Sequence, residues 1–190
     1  MKWSDNMTSE KNVQPLRSAQ EIEDVRWALS RYASARDLFM FNFGINTGLR
    51  VSDIVPLKVS DVRGKQHVVI TEKKTGKPKR FLLPKSTREA IEDYTRGMDN
   101  DDYLFVSRKG ASHISTTQAY RALQKAAEAL GRDDIGTHTM RKTFGYHHYK
   151  RNKDVATLQH IFNHSAPSIT LKYIGITSDE IDKTMEDFAL

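Results

Sequence analysis

Apolar positions recur at helical spacing through most of the chain. Ile22, Val25 and Leu29 share one face of a stretch that runs to about Arg31. It opens on "SAQE" (Ser18 to Glu21), in which a small hydroxyl residue and a carboxylate three places on can satisfy each other's free backbone N–H groups. "STRE" (Ser86 to Glu89), "STTQ" (Ser115 to Gln118) and "TSDE" (Thr177 to Glu180) repeat the signature, and each predicts a helix start. "RDLFMFNFGI" is apolar nearly all round, which predicts a buried central helix that stops near Gly48. A short helix from Val51 to about Val55 should end near Pro56. The pattern then changes. "HVVIT" and "RFLLP" read as strands joined by "EKKTGKPK", with Gly76 and Pro78 as turn residues. Helices resume over about Ser86–Arg96, Thr116–Leu130, Thr139–Arg151, Val155–Phe162 and Pro167–Tyr173. Near the end, Ile181, Met185 and Phe188 fall on one face of a last amphipathic helix. The expected class is α+β, mainly helical, with a small antiparallel sheet on one side.

Length and charge narrow the picture. A chain of 190 residues suits one domain with short appendages. Cysteine is absent, so disulfides and thiolate metal sites are excluded. No apolar run approaches the ~20 residues that span a bilayer, and the first residues lack the apolar core of a signal peptide. The expectation is a soluble, cytoplasmic protein without membrane contact. The formal charge is +6, unevenly spread. Seven Lys or Arg and no acid lie between Lys73 and Arg88. Six more stand against Asp154 alone from Thr137 to Tyr173, with five of the seven histidines. The last 17 residues carry −4 and the rest +10. A basic body with an acidic tail favours a polyanionic partner, most simply nucleic acid, over a merely solvated basic face.

The candidate chemistry lies in four places. In "HTMRKTFGYHHYKRN", His138 and Arg141 are three apart at a helix start and share a face. In "NTGLRVSDIVPLKVSDV", Arg50 follows Gly48 at a turn anchored by the buried helix, and could aim its planar fork at a phosphate. Asp53 could hold that guanidinium or a nearby histidine. Lys74 sits at the hairpin tip, where it could reach into a groove. Tyr173 lies nine residues after His164 in "HSAPSITLKYIG". Singly, each has a plainer reading: a solvent-facing basic helix, a surface Arg–Asp pair worth under ~1 kcal/mol, an edge lysine that discourages sheet aggregation, a locally bonded tyrosine. A metal reading rests on His160 and His164, four apart on a possible helix, but "HIFNH" lacks the glutamate of a zinc-protease motif.

Taken together, in this order, these residues resemble the tyrosine recombinase (phage integrase) family from about Ser18 to about Phe188. "TGLRVSDIVPLKVSDV" looks like the family's first arginine box. "HTMRKTFGYHHYKRNKDVATLQHIFNHSAPSITLKYIG" looks like its second box through the nucleophile. The resemblance implies that Tyr173 is the nucleophile, that Arg50 and Arg141 clamp the scissile phosphate, and that Lys74 protonates the leaving 5′ oxygen. It makes His138 a general base or hydrogen-bond donor, lets His164 orient or donate to the phosphate, and gives Asp53 a supporting place. It further implies site-specific recombination of double-stranded DNA through a 3′-phosphotyrosyl intermediate, with no metal, ATP or other cofactor. The partners it implies are a homo-tetramer on DNA, a monomer when free, and host or accessory DNA-bending proteins.

Candidate DNA contacts are Lys73, Lys77, Lys79 and Arg80 of the hairpin, and Arg121, Lys142, Lys150 and Arg151 of the basic helices. The expected division is an N-terminal extension over 1–17, the catalytic domain over 18–176, and a C-terminal helix over 177–190 that docks on a neighbouring protomer. No separate N-terminal DNA-binding domain is expected in the chain, and Asn163 stands where the family often has Gly. A DNA-binding regulator without catalysis and a relative of type IB topoisomerases are the alternatives.

Overall fold

The computed structural model describes residues 13–71, 76, 78–108, 110 and 112–176. The chain runs through α1 (Ala19–Tyr32), α2 (Ala35–Thr47), α3 (Val51–Ile54), a 3-10 turn (Val59–Asp61), β1 (His67–Thr71), β2 (Pro78–Leu82) and α4 (Lys85–Tyr94). It continues through α5 (Thr116–Ala129), α6 (Thr137–Asn152), α7 (Val155–Phe162) and α8 (Pro167–Tyr173). The two strands form one antiparallel ribbon in which His67 pairs with Leu82 and Thr71 with Pro78. The expected helical domain with a small sheet is therefore present. No helix among the described residues is long and apolar enough to cross a membrane.

The local signals acted as physical chemistry requires at most ends. Ser18 and Ser115 close reciprocal caps with Glu21 and Gln118. A cap of this kind is worth about 1 kcal/mol. Gly48 ends α2 at φ 66°, a left-handed conformation that glycine adopts without strain.

The box at Ser86–Glu89 does not cap. Pro84, at φ −54° and ψ 153°, already supplies an extended N-terminal residue, so α4 starts at Lys85 and Ser86 lies inside it. The helix also ends at Tyr94, short of Arg96. The second strand begins at Pro78, expected in the turn, and stops before Pro84. α6 starts two residues early, at Thr137, because the Thr139 hydroxyl reaches back to accept the Gly136 N–H at 3.0 Å. α2 starts at Ala35 because the Ser34 side chain accepts the Asp37 N–H. The "TSDE" box, the amphipathic helix with Ile181, Met185 and Phe188, and the extension before Val13 lie outside the described residues.

Three apolar clusters hold the elements together. One gathers Phe39 and Phe43 of α2 with Ile54, Val68, Leu104 and Phe105, on the sheet side. A second gathers Val25 and Leu29 of α1, Phe41 of α2, Leu123 of α5 and Met140 of α6. α2 therefore faces a core on either side, which explains its all-round apolar pattern. The third, of Tyr146, Leu158, Phe162 and Ile174, fastens α7 and the end of α8 to α6. Gly145 makes that approach possible, since a Cβ there would stand 2.6 Å from Ile174 and 2.8 Å from Phe162. This third cluster sets where Tyr173 falls.

Candidate active site

Arg141 stands on the second turn of α6 and is only 4% exposed. Its Nη1 donates to the Gly48 carbonyl at 2.5 Å and its Nη2 to the Phe162 carbonyl at 3.0 Å. The guanidinium lies 4.1 Å from the centroid of the Phe162 ring. One cation thus joins the ends of α2 and α7 to α6. Burial pushes its pKa down to about 10, against the favourable charge of Tyr173 and Asp53, and it remains a cation at neutral pH.

Arg50 is the exposed residue that opens α3, at φ −71° and ψ 147°. It sits two places beyond the α2 turn, as expected. Two clefts meet at Arg50 and Arg141. One, of about 370 Å³, is completed by Thr116, Thr117 and Tyr120 of α5 and by His138. The other, of about 510 Å³, runs past Asp53, Lys79, Asn163 and His164. Asp53 takes a hydrogen bond from the Ser52 hydroxyl at 3.4 Å, and its charge favours the cationic form of Arg141.

Tyr173 ends α8 with its phenol turned to the same place. His138 Nδ1 lies 3.2 Å from the hydroxyl oxygen, and Arg141 also bonds it. Burial raises the phenol's pKa; the charges of Arg141 and Arg50 pull it back. Three rings, of His138, Phe162 and His164, meet that of Tyr173 edge to face at 5.2–6.3 Å between centroids. A tyrosine in this setting is neither a sealed core residue nor a surface one.

His164 follows α7, with Nδ1 3.0 Å from the Thr170 hydroxyl. The metal reading of His160 and His164 fails on local geometry. α7 stops at Phe162, and Asn163 turns the chain at φ 54°, so the two histidines do not share a helix face. Among the described residues, no group of three or more histidines and acids could hold a metal ion. Asn163 itself takes the left-handed turn that a glycine would, and is one of the few residue types that tolerates it. Burial, then Arg141 and Arg50, hold the His164 pKa below 6.5. In an NMR titration its ring should therefore protonate below that value, and Arg141→Met should move the midpoint upward. Because the folded-state pKa is the lower one, this histidine costs stability as pH falls below 6.5. A midpoint at or above 6.5 would contradict the assigned surroundings.

The remaining basic residues divide. Lys79 donates to the His160 and Ile161 carbonyls at 2.7 and 3.1 Å, so it ties β2 to the end of α7. Lys142 is half-buried and donates to the Val13 carbonyl at 2.5 Å. Both are tied to backbone carbonyls of the protein itself, and Lys79 also lines the larger cleft. Arg80 is exposed beside the His67 ring. Arg121 lines a further cleft with Arg36, Arg108 and Lys125. Lys150 and Arg151 are exposed at the far end of α6. Lys73, Lys74 and Lys77 lie outside the described residues. The part played by the start of α5 went unforeseen, although the cap at Ser115 marks it. So did the use of the Gly48 and Phe162 carbonyls as anchors, for which side-chain patterns carry no signal.

Residues 10–180 match the model of the phage integrase family. The chain is 52% identical over 167 residues to the probable integrase/recombinase YoeC of Bacillus subtilis, covering 88% of this chain and 92% of that protein. It is 30% identical over 155 residues to the tyrosine recombinase XerC of Herpetosiphon aurantiacus, covering 78% of this chain but 50% of that one. Among solved structures, the XerA recombinase superposes with a TM-score of 0.72 at 22% identity, over 90% of this chain and 62% of that one. The XerH recombinase in a post-cleavage complex with its difH substrate gives 0.73 at 18% identity, over 91% and 52%. The chain thus spans nearly all of one relative and about half of several others. With its two arginines and its tyrosine gathered at one point of that fold, the chain belongs to the phage integrase family and is a tyrosine recombinase catalytic domain.

Proposed function

We propose that the chain carries out site-specific DNA recombination by cleaving and rejoining strands through a covalent link to Tyr173. The observation that supports this best is the convergence of Arg141, His138 and, through its charge, Arg50 on the phenol. Tyr173 Oη attacks the phosphorus and forms a P–O bond while the P–O5′ bond breaks. His138 Nδ1 receives the phenol proton. Lys74, by family resemblance, gives a proton to the departing 5′ oxygen. Arg50 and Arg141 hold the non-bridging oxygens, where negative charge grows in the transition state. If His164 Nδ1 accepts from Thr170, its neutral ring leaves an Nε2–H to donate to the phosphate. The phosphotyrosine conserves the bond energy, and a 5′-hydroxyl of a second duplex reverses the attack.

The direct test uses a pool of nicked duplexes with randomised sequence. Adducts that survive SDS are isolated, their DNA sequenced and the modified peptide identified. The expected product is a DNA 3′-phosphate on Tyr173. Modification elsewhere, or none, defeats the assignment.

The extent of the functional unit belongs to the same proposal: a catalytic domain over 18–176, assembled as a tetramer on DNA and monomeric without it. The segment from Thr177 would dock on a neighbour, a reading supported by the helical spacing of Ile181, Met185 and Phe188 in the sequence and by its acidic charge against a basic body. Deleting residues from Ser178 onward should reduce assembly on the selected duplex in sedimentation velocity. Undiminished assembly would remove the docking role.

A further inference from the structure

Lys142 follows the phosphate-facing Arg141 and was expected to touch DNA. Its ammonium is engaged with groups of the protein itself. It donates to the Val13 carbonyl and lies 5.4 Å over the centroid of the Tyr173 ring. That carbonyl is itself well fixed. The Gln14 N–H bonds the Asp134 carbonyl at 2.9 Å, and the Leu16 N–H bonds the Thr143 hydroxyl at 2.9 Å. His147 Nε2 meets the Leu16 carbonyl at 2.9 Å. Arg17 then donates to the Gly175 carbonyl, two residues past Tyr173, at 3.0 Å. The segment from Val13 to Arg17 is thus stitched along α6 and onto the chain just beyond the nucleophile.

We propose that Lys142 is a positioning residue for Tyr173: anchored by the Val13 carbonyl, it fixes the phenol ring and favours the phenolate as it forms. A cation over a neutral ring is drawn by the ring's quadrupole. During attack the phenol loses its proton, and negative charge spreads from the oxygen into the ring. The attraction therefore strengthens towards the transition state, which is the condition for raising a rate. The other charged and titratable groups gathered on this tyrosine are His138 and Arg141 from α6, His164 after α7 and Arg50 before α3, with Asp53 acting on Arg141. The two histidines meet the ring edge to face, whereas Lys142 supplies charge over its face.

The inference rests on Tyr173 as nucleophile, and its test separates the two. On a duplex recovered by adduct selection, single-turnover cleavage and DNA affinity are measured for the parent, Lys142→Met, Lys142→Gln and Lys142→Arg. Glutamine can still donate to a carbonyl, which covers the case of a methionine variant that does not fold. The neutral variants should cleave about 2- to 30-fold more slowly with affinity little changed, and arginine should restore most of the rate. Burial holds the Lys142 pKa below its usual value, so the parent's rate should fall in alkali as the ammonium is lost. The arginine variant should lack this contribution and keep only the fall that the loss of charge on Arg141 and Lys74 imposes. Unchanged rates in the neutral variants overturn the proposal. So does an arginine variant as slow as methionine, or a parallel loss of affinity and rate, which would make Lys142 a DNA contact. A parent that forms no adduct overturns the nucleophile assignment as well.

Discussion

Tyr173→Phe should abolish the SDS-stable adduct and leave affinity for the selected duplex close to that of the parent. The substitution removes one oxygen. It keeps the ring that packs against Phe162 and His164 and lies under the Lys142 ammonium, so the third core should keep its shape. What disappears is the atom between His138 and Arg141, and no covalent bond to phosphorus can form without it. The phenol's pKa is raised by burial, so the ionised form is scarce at neutral pH and proton removal must accompany attack. His138→Ala should therefore slow the reaction without abolishing it. Gel-shift titration alongside the SDS assay separates binding from chemistry. An adduct that persists in Tyr173→Phe would move the nucleophile to another residue.

Arg141→Ala is the second large effect, and it should appear in two measurements at once. Losing a preformed donor to the phosphate typically costs about 10²–10³ in rate. The same guanidinium is bonded to two carbonyls, of Gly48 and Phe162, from an almost fully buried position. Stripping those acceptors of their partner costs about 1–3 kcal/mol for each group left unsatisfied in the interior. The variant should melt well below the parent as well as cleave slowly. Arg141→Lys retains a charge but has no fork with which to reach both carbonyls. It should recover some rate and little stability. A melting temperature equal to the parent's in Arg141→Ala would show that the two carbonyls do not depend on it.

Much of this was legible along the chain, for reasons that differ by residue. Hydrophobic period placed most helices, and Ser18, Ser115 and Gly48 marked their ends, because caps act within a few residues of themselves. Ser86 misled, since a neighbouring proline already supplied the extended backbone a cap requires. Arg50, Arg141, His138, His164 and Tyr173 were legible only as an ordered set, each being ordinary alone. The fates of Lys79 and Lys142 were not legible. Both are bound to backbone carbonyls far away in sequence, and a carbonyl leaves no trace in residue identity. A basic run can only announce charge; whether an ammonium faces solvent or a helix end is decided by packing.

α2 lends Phe39 and Phe43 to one apolar cluster and Phe41 to the other, so the two share a common wall. Neither can come apart without baring the opposite side of the same helix, and the two should melt in a single cooperative step. The carbonyl that seats Arg141 belongs to Gly48, the residue that ends this helix. The guanidinium proposed to hold the phosphate is therefore moored on one side to the wall that both clusters share, so unfolding of either would also release its aim.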